Sequence, residues 1–123
     1  MMRKIFIYYI LTAVLTVVTL GSCHKQIHQA AQTDLADSLI NAAYKNHEYD
    51  SLIALTSRMQ ASGELSDMKA CYWRGYAYSR QQKMRLAEND WQKAVTLDIH
   101  TDEDLEYYAK SANRLAGTLL LKG

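Results

Sequence analysis

The spacing of hydrophobic and polar positions changes character twice along the chain. Behind Arg3 and Lys4, Ile5 to Leu20 (IFIYYILTAVLTVVTL) is a mostly apolar run of sixteen residues without a charge. The next stretch, HKQIHQAAQTD, is polar and reads as a tether, with residues 23–32 as its span. From Thr33 onward, small, aromatic and aliphatic residues return at the spacings of amphipathic helices. Helices are expected over Thr33 to Asn46, Tyr49 to Ala61, Asp67 to Gln82, Met84 to Leu97, and from about Thr101 to Leu121. Ser62-Gly63 suits a helix stop. Thr101 with Asp104 resembles a capping box. The chain has no proline and five glycines, while alanine and leucine recur throughout, so the expected class is all-α.

The stretch ACYWRGYAYSRQQKMRLAENDWQKAVTLDI, Ala70 to Ile99, carries the strongest internal pattern. Gly75 and Ala87 would sit where two antiparallel helices cross, because small side chains allow close backbone approach. Tyr78, Trp91 and Leu97 would fill the space around them. These positions, with Ala94 and the ending Leu97-Asp98, resemble a tetratricopeptide repeat. Three positions depart from the family pattern: Cys71 and Arg74 stand where tryptophan and leucine are usual, and Ile99 replaces the closing proline. A weaker copy lies 35 residues upstream, where Tyr49-Asp50 matches Met84-Arg85. Leu52 and Met59 take its small positions, so a wider crossing is expected there. In the last helix the register is open between Ala109 and Ala112. The resemblance implies a tetratricopeptide-like solenoid of antiparallel helix pairs, about five helices after a signal peptide. The ending GTLLLKG does not look like a polar cap. Leu119 to Leu121 would either fold back on the second pair or belong to a shortened copy of a longer array.

The uncharged run is slightly short for a helix crossing the hydrocarbon core, which needs about 20 residues. Its basic start and small-residue end mark a signal peptide. Leu20-Gly21-Ser22-Cys23 resembles a bacterial lipobox, with an aliphatic residue, two small residues and a cysteine. That resemblance implies cleavage before Cys23, diacylglycerol on its thiol and an acyl chain such as palmitate on its amine. Three chains anchor firmly, since each buried methylene contributes ~0.8 kcal/mol. The competing reading is an uncleaved signal anchor with an incidental cysteine. The expected organisation is a lipoprotein signal peptide over 1–22, a tether over 23–32 and a helical repeat domain over 33–123. His24-Lys25-Gln26 lacks the acidic run that resembles a surface-export signal in Bacteroidetes lipoproteins, so a periplasm-facing anchor in the cell envelope is expected. Inner and outer membrane both stay open.

Charge narrows the partners. The whole chain carries +1, which gives no electrostatic case for nucleic acid. No nucleophile-base order, phosphate loop or carboxylate pair stands out, so the chain is not expected to be an enzyme or to hold a cofactor. His24 and His28 lack a third ligand nearby, so no metal is expected. His47 and His100 fall in turns, and Asp102-Glu103-Asp104 suits a helix N-terminus. Cys71 reads as a buried thiol that does not pair with Cys23.

The expected activity is binding. The tetratricopeptide resemblance implies that the first helix of each pair lines a groove. Carried over, the groove positions are Lys69, Tyr72, Tyr76, Ser79 and Arg80, with Asp37, Asn41, Tyr44 and Lys45 from the weaker pair. Tyrosines beside basic groups suit peptide recognition. Packing of Tyr72 and Tyr76 on the neighbouring repeat is the competing reading. The lipobox leader with RGYAYSRQQKMRLAENDWQKAV and DEDLEYYAKSANRLAGTLL is also similar to the sensor region of Bacteroidetes tetratricopeptide-repeat regulators. Those continue into a histidine kinase or a helix-turn-helix output. Two functions therefore compete: a membrane-anchored module binding a protein or peptide, and a sensor input that passes ligand binding onward.

Overall fold

The computed structural model describes the backbone of residues 2–123 and the side chains of residues 2–11 and 25–123. Five α-helices follow in order: α1 Met2–Lys45, α2 Tyr49–Ser62, α3 Asp67–Arg80, α4 Met84–Ala94 and α5 Asp102–Lys122. No strand occurs among the described residues, so the protein is all-α. The chain divides into two compact units, Met1–Asp34 and Leu35–Gly123.

In the first unit the backbone stays helical through residues 23–32, where a tether is expected. The local reason is composition: Ala30, Ala31 and three glutamines favour helix, and no glycine or proline interrupts residues 24–34. Thr33 returns its hydroxyl to the carbonyl of Gln29 at 2.9 Å. The side chains of residues 25–34 are exposed. Among the described residues no helix is long and apolar enough to cross a membrane. The side chains of Leu20-Gly21-Ser22-Cys23, the expected lipobox, lie outside the described residues.

The second unit begins with the end of α1. Its helix boundaries have identifiable chemical causes. Gly63 closes α2 in the left-handed region, with φ 78° and its N–H on the Gln60 carbonyl. Ser66 caps α3 by accepting from the Lys69 amide at 3.2 Å. Thr101 and Asp104 form a reciprocal capping box on α5. The α1–α2 and α3–α4 turns are built alike. His47 and Gln82 both take positive φ, 58° and 62°. Behind them the Glu48 amide donates to the Ala43 carbonyl and the Lys83 amide to the Tyr78 carbonyl, each at 2.9 Å. The two turns are 35 residues apart, the offset seen in the sequence. Helix α4 stops at Ala94, short of Leu97. There the chain tightens, with the Thr96 amide and hydroxyl both on the Lys93 carbonyl.

Burial repeats at the same offset. Ala36, Ile40, Leu52, Thr56 and Met59 are buried, and so are Cys71, Gly75, Ala87, Trp91 and Ala94. Ala36, Ile40, Leu52 and Met59 of the first set belong to a core with Ala43, Leu65, Ala70 and Ala77. The second gathers Met68, Tyr72 and Tyr107, with Trp73 packed against both cores. At the second crossing the sizes are extreme. A Cβ on Gly75 would lie 2.6 Å from Trp91 Nε1 and 2.8 Å from its Cδ1. Gly75→Ala is therefore expected to destabilise the domain by about 1–3 kcal/mol despite alanine's better helix propensity. A urea midpoint unchanged from wild type would contradict this contact.

Two expectations for α5 change. Leu119, Leu120 and Leu121 do not fold back on the second pair; they are 61%, 82% and 89% exposed. Neither alanine takes the buried small position: Ala109 is exposed and Ala112 half-buried, while Ser111 is fully buried. Asp104, Tyr107, Ser111 and Thr118 form the inward stripe. A polar residue therefore occupies a position that a search for alanine passes over.

Candidate interaction face

Residue numbers along α1, α3 and α5 rise together across their contacts. Asp37 and Tyr44 of α1 meet Lys69 and Tyr76 of α3. Lys69, Tyr72 and Tyr76 of α3 meet Glu103, Tyr107 and Arg114 of α5. The three helices therefore run parallel. Across α2 and α3 the order reverses, since Gln60 bonds Asp67 while Asp50 bonds Gln81. The odd-numbered helices present one shared face, and most of the expected groove residues fall on it.

Aromatic rings cover this face. Tyr76 lies among Tyr44, Tyr49 and Trp73, with ring centroids 5.4, 6.5 and 5.9 Å away. Tyr72 sits 5.3 Å from Trp73 and 5.4 Å from Tyr107. Rings at such tilted and edge-on distances attract through their quadrupoles. Cations stand over them: Arg80 over Tyr49, Arg114 over Tyr76, and Lys69 and Lys110 over Tyr107.

The five expected groove residues divide by exposure. Lys69 is 3% exposed, with its ammonium 2.6 Å from Asp37 and 2.5 Å from Glu103. It joins α1, α3 and α5 and has no surface to offer a ligand. Tyr72 is buried. Tyr76 and Ser79 are half-buried, and Ser79 gives its hydroxyl to the Tyr76 carbonyl at 2.6 Å. Arg80 is exposed and donates from Nε to the Tyr49 hydroxyl at 3.2 Å. Lys110 is paired with Glu106 one turn away. Arg80 and Arg114 make no ion pair with a carboxylate among the described residues.

These surroundings move several pKa values. Burial raises the Tyr76 phenol, and neighbouring Tyr44 adds to the shift. The Tyr49 hydroxyl raises Arg80 further, so its charge is constant. For Lys69, burial acts to lower the pKa, but the bonds to Asp37 and Glu103 outweigh it and the net shift is upward. A raised lysine pKa stabilises the fold below the ordinary value of 10.5 and loses that contribution as pH rises through the folded value. The stability gap between wild type and Lys69→Met is therefore expected to stay constant from neutral pH to about pH 10 and to change only above it. Parallel urea titrations check this; a gap that drifts between pH 6 and 9 would contradict the assignment.

Trp73, Tyr107, Lys110 and Arg114 belong to the face but were not legible as groove positions. Three of them lie on α5, whose register was open, and Trp73 stands between the expected groove positions Tyr72 and Tyr76. A hollow of about 550 Å³ is lined by Met2, Ile5, Phe6, Tyr9 and Ile10. It lies along one exposed helix and brings no polar groups together. No cluster of three or more histidine, cysteine, aspartate or glutamate side chains among the described residues has the arrangement to hold a metal ion. Cys71 is buried, and burial followed by nearby Asp90 raises its thiol pKa away from nucleophilic use. No protein-family profile, curated protein or solved structure matches the chain.

Proposed function

We propose that this protein is a lipid-anchored, tetratricopeptide-like repeat module of the cell envelope that binds a protein or peptide on the face of α1, α3 and α5. The observation that carries the reading is the pair of guanidiniums, Arg80 and Arg114. Each stands over a tyrosine ring, and neither has a carboxylate partner among the described residues. Arginine and tyrosine dominate binding energy at protein interfaces because they combine apolar contact with directional donors. The identical turns and the burial pattern at an offset of 35 residues support the repeat reading. The leader supports the anchor: a basic start, an uncharged run and small residues before Cys23. The role is binding rather than catalysis.

Arg80→Ala with Arg114→Ala is expected to leave helicity and thermal midpoint near wild type, since both residues are exposed. Recovery of the cross-linked partner from native membranes should fall at least tenfold, on the order of 2 kcal/mol. Full recovery by the folded variant would remove the face from the account. Labelled palmitate should enter the wild type and not Cys23→Ala; equal labelling would remove the anchor.

A further inference from the structure

Helix α5 is buried on one side and apolar on another. Its inward stripe, Asp104, Tyr107, Ser111 and Thr118, is buried, and Tyr107 belongs to the second core. On another side lie Leu105, Ala109, Ala112, Ala116 and Leu119, spaced four, three, four and three residues apart. Such spacing makes one continuous seam along a helix. Leu120 borders it, and no charged residue interrupts it. Leu105 and Leu119 are 54% and 61% exposed, and Ala109 and Ala116 are exposed. This side is separate from the aromatic face, which α5 enters through Tyr107, Lys110 and Arg114.

We infer that this seam is the interface for a second copy of the chain, packed α5 against α5 in antiparallel orientation. Three features favour that occupant. First, the seam reads the same from either end: a leucine, three alanines and a leucine. An isologous two-fold contact requires such self-complementarity. Second, charge is divided along the helix. Residues 102–108 hold Asp102, Glu103, Asp104 and Glu106 with no base, whereas residues 109–122 hold Lys110, Arg114 and Lys122 with no acid. Most of these charges are held within the chain, Glu103 by Lys69, Glu106 by Lys110 and Lys122 by Glu88, and Asp104 is buried. Orientation therefore rests on the helix dipoles, which antiparallel pairing opposes and parallel pairing sets side by side. Third, the ends complement each other in shape. A hollow of about 400 Å³, lined by Ile99, His100, Thr101, Asp102 and Leu105, sits at the start of α5. The opposite end carries the exposed Leu120 and Leu121 and then Lys122. In the antiparallel pair those leucines reach the partner's hollow, while Lys122 stays paired with Glu88 of its own chain at 2.7 Å. The alanines between allow the two backbones to come close.

The experiment uses the full chain in mild detergent. Light scattering behind gel filtration should give twice the chain mass for wild type and once for Leu120→Asp, with self-association weakened at least tenfold. Orientation is read by disulfide trapping against the wild-type cysteine background. Ala112→Cys, near the two-fold axis, should link to itself. Leu105→Cys should link to a differently tagged Leu120→Cys copy and not to another Leu105→Cys copy. A wild type of single mass at ~100 µM would overturn the inference, as would Leu105→Cys linking to itself. Arg80→Ala with Arg114→Ala should leave the dimer intact; its loss there would place the contact on the aromatic face instead.

Discussion

Trp91→Ala is expected to cost about 3–5 kcal/mol, the usual range for truncating a buried aromatic. Trp91 is 2% exposed. Its indole fills the space that Gly75 leaves open, and its Nε1 donates to the Tyr72 carbonyl at 3.3 Å. The substitution therefore opens a cavity and strands a buried acceptor together. An ~90-residue domain holds roughly 4–13 kcal/mol in total, so the variant sits near its unfolding limit. Far-ultraviolet circular dichroism through a urea titration measures the shift. A second variant separates cavity from fit. Gly75→Ala in a Trp91→Leu background should cost less than Gly75→Ala in wild type, because the clashing ring is gone. Equal costs in both backgrounds would show that the close approach at Gly75 carries no energy.

Asp90→Ala has the second large effect, about 3–5 kcal/mol. Arg74 occupies a position where the tetratricopeptide pattern expects leucine. The structure explains how a charge lives there. Arg74 donates from Nε and Nη2 to both carboxylate oxygens of Asp90 at 2.7–3.1 Å. It reaches the Gln60 side chain at 2.9 Å and Ser57 at 3.3 Å through Nη1. One guanidinium thus ties α2, α3 and α4 together. The two side chains are only 16% and 11% exposed, so losing Asp90 leaves a mostly desolvated cation. The bonds to Asp90, working against burial, raise the Arg74 pKa above its ordinary value, so the cation cannot escape by losing its proton. Replacing both residues with leucine should recover most of the loss, because apolar groups of similar volume need no partner. The test is non-additive: Arg74→Leu with Asp90→Leu must be more stable than Asp90→Ala. A double variant worse than either single would mean that the pair adds net stability.

Helices were legible where sequence chemistry is local. The starts of α2, α3 and α4 at Tyr49, Asp67 and Met84 match the expected ones; Ser66 caps α3, while the turns at His47 and Gln82 precede α2 and α4, which have no side-chain cap. Gly63 and the Thr101–Asp104 pair act as their residue types require. The end of α4 was less legible, since Thr96 competes for the Lys93 carbonyl through a side-chain bond that periodicity does not register. That residues 23–32 are helical was not legible, for a related reason. Polarity marks absence of a core but not absence of helix, and alanine and glutamine favour helix without one. Register on α5 failed because burial chose Ser111 over either alanine. Its hydroxyl has no hydrogen-bond partner there, a cost that no local rule anticipates.

The candidate face was half legible. The tetratricopeptide resemblance implied Lys69, Tyr72, Tyr76, Ser79 and Arg80 as groove positions, and the structure gathers the rings and charges among them with α1 and α5. The resemblance did not separate residues that hold the helices together from residues left to meet a partner. Lys69 looks like a recognition cation until Asp37 and Glu103 are seen around it. Arg114 looks like an ordinary surface arginine until the Tyr76 ring is seen 5.4 Å away. Partners more than thirty residues distant decide both roles.

The central claim is that a partner docks on the face of α1, α3 and α5. The most direct test is site-specific photo-cross-linking in native membranes. Probes at Tyr44, Arg80 and Arg114 are compared with probes at Gln92 and Lys93 on the exposed side of α4. One discrete adduct from the first three positions and none from the last two is the predicted result. Adducts of equal yield from both sides, or none from the aromatic face, would contradict it.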